Sequence, residues 1–383
     1  MTIHPPRIAL NAHLLSSDAS YRSAGIHGYL YNTLAHLPEA APDLALTVLV
    51  GSGQPPLNAA YHIQRSRWPS HNALSRIIWE QALAPGVLAR LRPDLLHGMA
   101  FATPLLWTGP SVVTIFDLSF LRYPDRLPAS RRVYLRTVTR VAAQRARRII
   151  AISESGRSEI AELLNMPREI IDVAYPGVSP DLYPRSPEEI RRFRDQYSLP
   201  ERFILYLGTL EPRKNLETLI RAYARLPRRE GVRLVLAGGR GWRASSLLAL
   251  VETLGLSGEV IAPGYIPGSL LPMWYNAAEI FAYPSVYEGF GMPLAEALAC
   301  GVPVMASGSS SLPEAAGPGG VLLPADDVDA WAGELADLLA DPARRRELAE
   351  LGRGYVQRFS WQETARQTAE AYRRALSEAR LAR

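Results

Sequence analysis

Short apolar runs rich in β-branched residues alternate with amphipathic stretches along the whole chain. Runs at 7–14, 44–50, 95–98, 111–117, 148–153 and 170–175 predict strands in the first half. A second series at 203–208, 232–237, 260–264, 279–283, 302–306 and 320–323 predicts strands in the second half. Helical periodicity fills the gaps, as at 32–37, 79–91, 215–224 and 329–339. A strand–helix alternation of this kind predicts parallel sheets with helices on both faces, because parallel neighbours need a long crossover.

The alternation breaks at residues 176–200, where Pro176, Gly177, Pro180, Pro184, Pro187 and Pro200 interrupt regular structure. Inside the break, Ser186-Pro187-Glu188-Glu189 reads as a helix start: an N-cap serine, proline at the first position and glutamate three residues on. The pattern therefore predicts two doubly wound domains, 1–180 and 181–360. A final helix opening at Ser360-Trp361-Gln362-Glu363 is long enough to return over 361–383 to the first domain. Ligands of such sheets bind outside the carboxyl ends of the strands, so the expected site is the cleft between two facing domains.

Composition narrows the class. At 383 residues with 48% apolar and 21% charged residues, the chain has the make-up of a folded globular protein. The single cysteine, Cys300, excludes an intrachain disulfide or a cysteine-cluster metal site, and Ala297-Leu298-Ala299-Cys300-Gly301 reads as packing. With no apolar run near the ~18 residues that span a bilayer and no signal-peptide pattern, a cytoplasmic protein is expected.

Net charge is +5 and unevenly placed. From Arg126 to Ser153 there is no acidic residue, while Arg131, Arg132, Arg136, Arg140, Arg145, Arg147 and Arg148 crowd a helical stretch with Val133, Leu135, Val138 and Val141 between them. A basic amphipathic helix over 131–148 suits a peripheral position on an anionic membrane; a solvated helix face in an arginine-biased protein reads equally well. No aromatic-interleaved motif supports nucleic acid as a partner.

Of the 42 basic residues all but Lys214 are arginine. Arginine and lysine are interchangeable in solvent but not where a compact ammonium must meet one cluster of oxygens. Lys214 sits in Gly208-Thr209-Leu210-Glu211-Pro212-Arg213-Lys214-Asn215-Leu216, between a predicted strand and a helix that Asn215 would cap. Two cations at a helix N-terminus, where free N–H groups already favour an anion, suit a diphosphate. The second chemical segment is Pro284-Ser285-Val286-Tyr287-Glu288-Gly289-Phe290-Gly291-Met292-Pro293-Leu294-Ala295-Glu296. Its glycines admit close backbone approach, and Glu288 and Glu296 frame them with acceptor-only groups of the kind that take sugar hydroxyls.

These two loops together resemble the retaining glycosyltransferases of family 4, which have the GT-B fold. Ala237-Gly238-Gly239, Gly264-Tyr265-Ile266-Pro267 and Phe359-Ser360-Trp361 support the likeness, which covers nearly the whole chain. The resemblance implies that Arg213 and Lys214 bind the nucleotide diphosphate beside Gly208 and Thr209. It implies that Glu288 and the amides of Gly289, Phe290, Gly291 and Met292 hold the donor sugar. Glu296 would take the ribose hydroxyls, with the base near Tyr265 and Ile266. In the first domain, Gly25-Ile26-His27-Gly28 looks like the family's glycine loop, Gly25 approaching the donor phosphates. The segment 112–120 matches one that reads His-Asp in many relatives; here Phe116 replaces the histidine and Asp117 alone keeps a polar group. His97 and Ser153 stand at strand ends as acceptor-side candidates.

Leaving-group stabilisation by fixed cations needs no catalytic metal or other cofactor, and Asp327-Val328-Asp329 reads as a helix cap instead of a metal site. The stretch 115–124 is most similar to mannosyltransferases of bacterial surface polysaccharides. It implies transfer with retention from GDP-mannose to a glycan or lipid-linked acceptor. A nucleotide-sugar epimerase of the same architecture and a silent sugar-nucleotide-binding protein stay open as alternatives. A nicotinamide-dependent oxidoreductase would want Gly-x-Gly-x-x-Gly after the first strand, which residues 11–21 do not offer.

Overall fold

The computed structural model describes residues 4–15, 25–51, 59–66, 68, 73–124, 129–227, 229, 231–239, 241 and 244–381. The chain divides into two compact units, Met1–Gly177 with Phe359–Arg383, and Val178–Arg358.

The first unit is built on a parallel sheet of β1 (Arg7–Asn11), β2 (Ala45–Val50), β3 (His62–Arg65), β4 (Leu95–Gly98), β5 (Ser111–Ile115), β6 (Arg148–Ala151) and β7 (Ile171–Val173). Their spatial order is β3-β2-β1-β4-β5-β6-β7, with every neighbouring pair parallel. Central strands such as β5 are buried at every position, as sheets covered on both faces require. The edge strand β3 has no apolar run because neither terminal residue is buried, so the sequence pattern does not announce it. Several predicted strands end early. Residues 116–117 and 152–153 leave the ladder, and Asp117 and Ser153 stand in the loops beyond it.

The last helix, Trp361–Leu381, closes this unit. Ser360 caps it by accepting from the Glu363 N–H at 3.1 Å. Arg374 reaches Asp172 at 2.6 Å, where Arg148 already makes a buried pair at 2.7 Å. Tyr372 reaches His97: the histidine is buried, one ring nitrogen 2.6 Å from the Tyr372 hydroxyl and the other 2.8 Å from Thr114 Oγ1. Burial pulls its imidazole down to about 3, so it is neutral. Both ring nitrogens of His97 are thus engaged by partners inside the core. Ser153 is likewise a helix cap, its buried hydroxyl accepting from the Gly156 N–H at 2.9 Å.

The arginine-rich helix spans Ala129–Arg145. Its apolar side is turned inward: Val138 is buried and Leu135 packs on the core formed by Val113, Ile115, Ala142 and Ile149. Val133 is exposed, and Arg148 lies outside the helix, in β6. A helix that spends its apolar face on its own core has little left to insert into lipid. Arg131, Arg136, Arg140, Arg145 and Arg147 remain as an exposed basic surface.

The second unit carries β8 (Arg202–Leu207), β9 (Val232–Ala237), β10 (Val260–Gly264), β11 (Ile280–Tyr283), β12 (Val304–Ser307) and β13 (Gly320–Leu323). The order is β10-β9-β8-β11-β12-β13, again with every neighbouring pair parallel. The helix Pro187–Tyr197 opens on the capping box read from the sequence, with Ser186 and Glu189 exchanging bonds. Gly238, φ +141°, ends β9 against Gly208: a Cβ there would lie 1.9 Å from the Gly208 carbonyl oxygen. That contact explains a glycine in Ala237-Gly238-Gly239, since the loop after β8 can pass only over bare backbone.

Candidate active site

The strand order of the second unit reverses between β8 and β11, and both chemical loops leave the carboxyl ends of these two strands. That is the switch point where doubly wound sheets open a crevice for ligands. After β8 the chain runs through Gly208 and Thr209 into a single 3-10 turn, Pro212–Lys214, which delivers two cations in succession. The helix Leu216–Ala224 follows. Asn215 does not cap it as the sequence suggests. It adopts the left-handed conformation, φ 53°, its amide donating to the Ala325 carbonyl and its Oδ1 accepting from Thr218 at 3.1 Å.

After β11 the backbone is pinned to the first loop: the Val286 N–H donates to the Arg213 carbonyl at 3.0 Å. The carboxylate of Glu288 is thereby set between both cations. Lys214 Nζ lies 2.5 Å from Oε1 and Arg213 Nη1 lies 2.9 Å from Oε2. Oε1 also accepts from Ser285 at 2.6 Å and from the Tyr283 hydroxyl at 3.1 Å, and Lys214 donates to that same tyrosine at 2.8 Å. Arg213 additionally pairs with Glu211 at 2.9 Å and donates to the Tyr287 carbonyl. The Glu288 backbone is held too, N–H to Ser310 Oγ at 2.9 Å and carbonyl from Ser311 at 2.9 Å.

Electrostatics follow from this geometry. Burial alone would push Glu288 up, but the charges of Lys214 and Arg213 outweigh it and hold the carboxyl at about 2. Burial would lower Arg213, and Glu288 and Glu211 reverse that, so the guanidinium is always charged. For Lys214 burial wins: the ammonium sits below its ordinary value, the Glu288 carboxylate opposing the drop and Arg213 adding to it. Lys214 is only 7% exposed, so the lone lysine presents a compact ammonium inside the site.

The remaining sequence-predicted residues of this unit spread along the same carboxyl edge. Gly291, φ +101°, precedes the helix Met292–Ala299, and a Cβ on it would lie 2.7 Å from Leu312. Phe290 is buried in the core; Gly289 and Met292 are partly exposed. Glu296 projects from the helix onto the Tyr275 hydroxyl at 2.7 Å, and burial raises its carboxyl above the ordinary value against that bond. Tyr265 is exposed and Ile266 buried just past β10, whose Gly264 carbonyl accepts from the Gly238 N–H at 2.7 Å. Cys300 is buried, its thiol pushed up to about 12, as packing requires. Asp327 caps the helix Val328–Ala340 through the Ala330 N–H, and Asp329 pairs with Arg225 at 2.5 Å.

In the first unit, Gly25 has φ 74° and precedes the helix Ile26–Ala40, whose first turn already contains Gly28. Asp117 turns its Oδ1 to the Ser119 N–H at 2.8 Å, and Phe116 is buried edge-on to Tyr29. Sequence reasoning missed Tyr283, Ser285 and Ser310, the groups that fix Glu288. The only signal for the last of them is the serine run 309–311 following β12.

Comparison with known proteins bears on the family and the fold. Residues 188–355 match the model of the glycosyl transferases group 1, and residues 24–182 match that of glycosyltransferase family 4. The chain is 38% identical over 282 residues to the O-antigen chain mannosyltransferase B of Escherichia coli, covering 73% of this chain and 74% of that one. It is 31% identical over 318 residues to the serotype-specific mannosyltransferase WbdA of Escherichia coli, over 77% of this chain but 38% of that longer protein. Among solved structures, sucrose-phosphate synthase from Thermosynechococcus elongatus superposes with a TM-score of 0.77 at 23% identity, over 97% of this chain and 100% of that one. Anabaena HepE, solved with UDP and glucose, superposes with a TM-score of 0.72 at 20% identity over 96% and 99%. The α/β fold with two Rossmann-like units is GT-B, and the chain belongs to glycosyltransferase family 4.

Proposed function

We propose that this glycosyltransferase moves mannose from GDP-mannose onto a glycan or lipid-linked acceptor in surface polysaccharide synthesis, with retention of configuration and without a catalytic metal. Glycosyl transfer in polysaccharide synthesis follows from family membership and its mannosyltransferase relatives. The donor, the stereochemistry and the residue roles are our reading. One observation carries it: Glu288 holds Lys214 and Arg213 side by side at the carboxyl end of β8.

Cleavage of the glycosyl–phosphate bond adds one more negative charge to a diphosphate that already carries two, and the departing phosphate oxygen can take the proton that the acceptor hydroxyl loses. A buried ammonium and a half-buried guanidinium, held before the donor arrives, stabilise that charge without reorganising during the reaction. Glu288 sets their positions and offsets their charge while the site is empty. With its carboxyl at about 2 it stays ionised and cannot serve as the acid. Its Oε1 already accepts from Lys214, Tyr283 and Ser285, which makes it a poor nucleophile. Retention is then best served by attack of the acceptor hydroxyl on the face that the diphosphate leaves. In this reading Gly289, Phe290, Gly291 and Met292 serve the donor sugar, Glu296 the ribose, and Tyr265 and Ile266 the base. Gly25 and Asp117 are the first unit's candidates beside the donor.

No helix among the described residues is long and apolar enough to cross a membrane. We place the reaction in the cytoplasm, with the exposed arginines of the helix Ala129–Arg145 resting on anionic lipid when the acceptor is lipid-linked. Sedimentation with anionic liposomes tests that placement, and binding unchanged by charge reversal at Arg136 and Arg140 would discard it. For the reaction, purified protein is incubated with GDP-mannose and a mannose-terminated lipid-linked acceptor, and the product anomer is read by NMR. An α-mannoside is expected from the α-linked donor. A β product, or transfer from UDP-glucose in preference, contradicts the reading.

A further inference from the structure

The first unit has a switch point of its own, between β1 and β4, and a small pocket opens there among residues that the mechanism above does not use. Asn11 ends β1 and donates to Glu80 Oε1 at 3.0 Å; Tyr134 donates to Glu80 Oε2 at 3.4 Å. Glu80 is 9% exposed and sits in a single π-helical turn, Trp79–Leu83, set into the helical stretch between β3 and β4. Such a turn is a rare distortion that concentrates at functional sites. His13, 3% exposed, stacks on Trp79, and neither of its ring nitrogens has a hydrogen-bond partner among the described residues. Phe101, across the pocket, holds φ at +61°, a conformation disfavoured for an aromatic residue.

A buried imidazole with both nitrogens unmet calls for a ligand or water that can donate and accept. The volume is about 70 Å³, far below the ~300 Å³ at which small-molecule sites begin, so only one edge of a ligand enters. Arg76 lines the pocket as its single cation beside the carboxyl of Glu80, a lining that suits a neutral polyol better than a phosphate.

We propose that this pocket is a hydroxyl-reading subsite for the acceptor glycan, in which Glu80 accepts from one sugar hydroxyl and His13 completes that hydroxyl's hydrogen bonding. The proposal rests on the glycosyltransferase reading and adds to it the residues that select the acceptor.

The test uses the full chain and saturation-transfer NMR with methyl α-mannoside, methyl α-glucoside and N-acetylglucosamine, then the monodeoxy analogues of whichever binds. Removing the hydroxyl that Glu80 reads should weaken binding to the wild type about tenfold or more. In Glu80→Ala the parent sugar should weaken equally, and that deoxy analogue should lose nothing further. Glu80→Gln keeps the shape and should still weaken the parent at least several-fold, while GDP affinity stays at the wild-type value in both variants. Wild-type hexoside affinity in either folded variant overturns the proposal, as does equal binding of all deoxy analogues or no signal from any sugar. If instead the wild type transfers no sugar yet shows the Glu80-dependent pattern, the function fails and the subsite stands.

Discussion

Lys214 and Glu288, 74 positions apart in the chain, meet at 2.5 Å beneath the carboxyl ends of neighbouring strands. The pair is buried and shares its carboxylate with Arg213. Arg213 also holds Glu211 at 2.9 Å, so two carboxylates keep the two cations in place and balanced until the phosphates of a donor compete for them.

Removing the anion tests the electrostatics. Glu288→Gln leaves Lys214 buried without its carboxylate beside Arg213, which keeps Glu211, at a cost of about 3 kcal/mol. The melting temperature of the second unit should fall by roughly 10 °C. GDP should then raise it by more than it raises the wild type, because its phosphates no longer compete with a resident carboxylate. Differential scanning calorimetry with and without GDP decides; an equal or smaller GDP shift in the variant shows that the phosphates bind elsewhere.

Glu80 gives the first unit a pH-dependent stability. Burial raises its carboxyl from 4.5 to about 7 against the pull of Arg76, Tyr134 and Asn11, with neutral His13 lining the same pocket. A folded value above the unfolded one contributes stability that is full below pH 4.5 and lost as pH rises through 7. The span corresponds to about 3 kcal/mol. Glu80→Gln does not titrate, so its melting temperature relative to the wild type should climb between pH 5 and pH 8. A constant gap across that window means that Glu80 ionises normally in the fold.

His97→Ala separates structure from function at a strand end. The Tyr372 and Thr114 hydroxyls each lose a buried partner, at about 1–3 kcal/mol apiece. Thermal melts should show the loss, while kcat and the acceptor KM of the folded fraction stay at wild-type values. A raised acceptor KM at unchanged stability would return His97 to the acceptor side.

Metal removal bears on the leaving-group argument. Dialysis against EDTA should leave the transfer rate unchanged, since Arg213 and Lys214 carry the charge that a divalent ion would otherwise meet. Loss of activity restored by magnesium or manganese would show that two side chains do not suffice.

The alternation of β-branched runs and helical segments makes both sheets legible, because buried parallel strands must be continuously apolar. Edge strand β3 escapes notice for the converse reason. The Lys214 and Glu288 loops are legible as local chemistry, from glycines, prolines and charges within a few residues. Their mutual pairing is not, since nothing in a sequence says which carboxylate meets which cation across 74 positions. The core contacts of His97 are hidden for a similar reason: its partner Tyr372 lies 275 positions away, on the last helix. The Glu80 pocket depends on a π-helical turn and on ring stacking of His13 on Trp79, neither of which has a pattern that periodicity reveals.

The central claim is that Lys214 supplies the compact positive charge that meets the departing diphosphate. Single-turnover transfer from GDP-mannose, compared among wild type, Lys214→Ala and Lys214→Arg, measures it directly. Lys214→Ala should slow the chemical step by about 10² or more, the scale of losing one preorganised donor to developing charge. Lys214→Arg should be impaired as well, because a planar guanidinium cannot reproduce the single-point contacts that the ammonium makes with Tyr283 and Glu288. Full activity in either variant would contradict the claim.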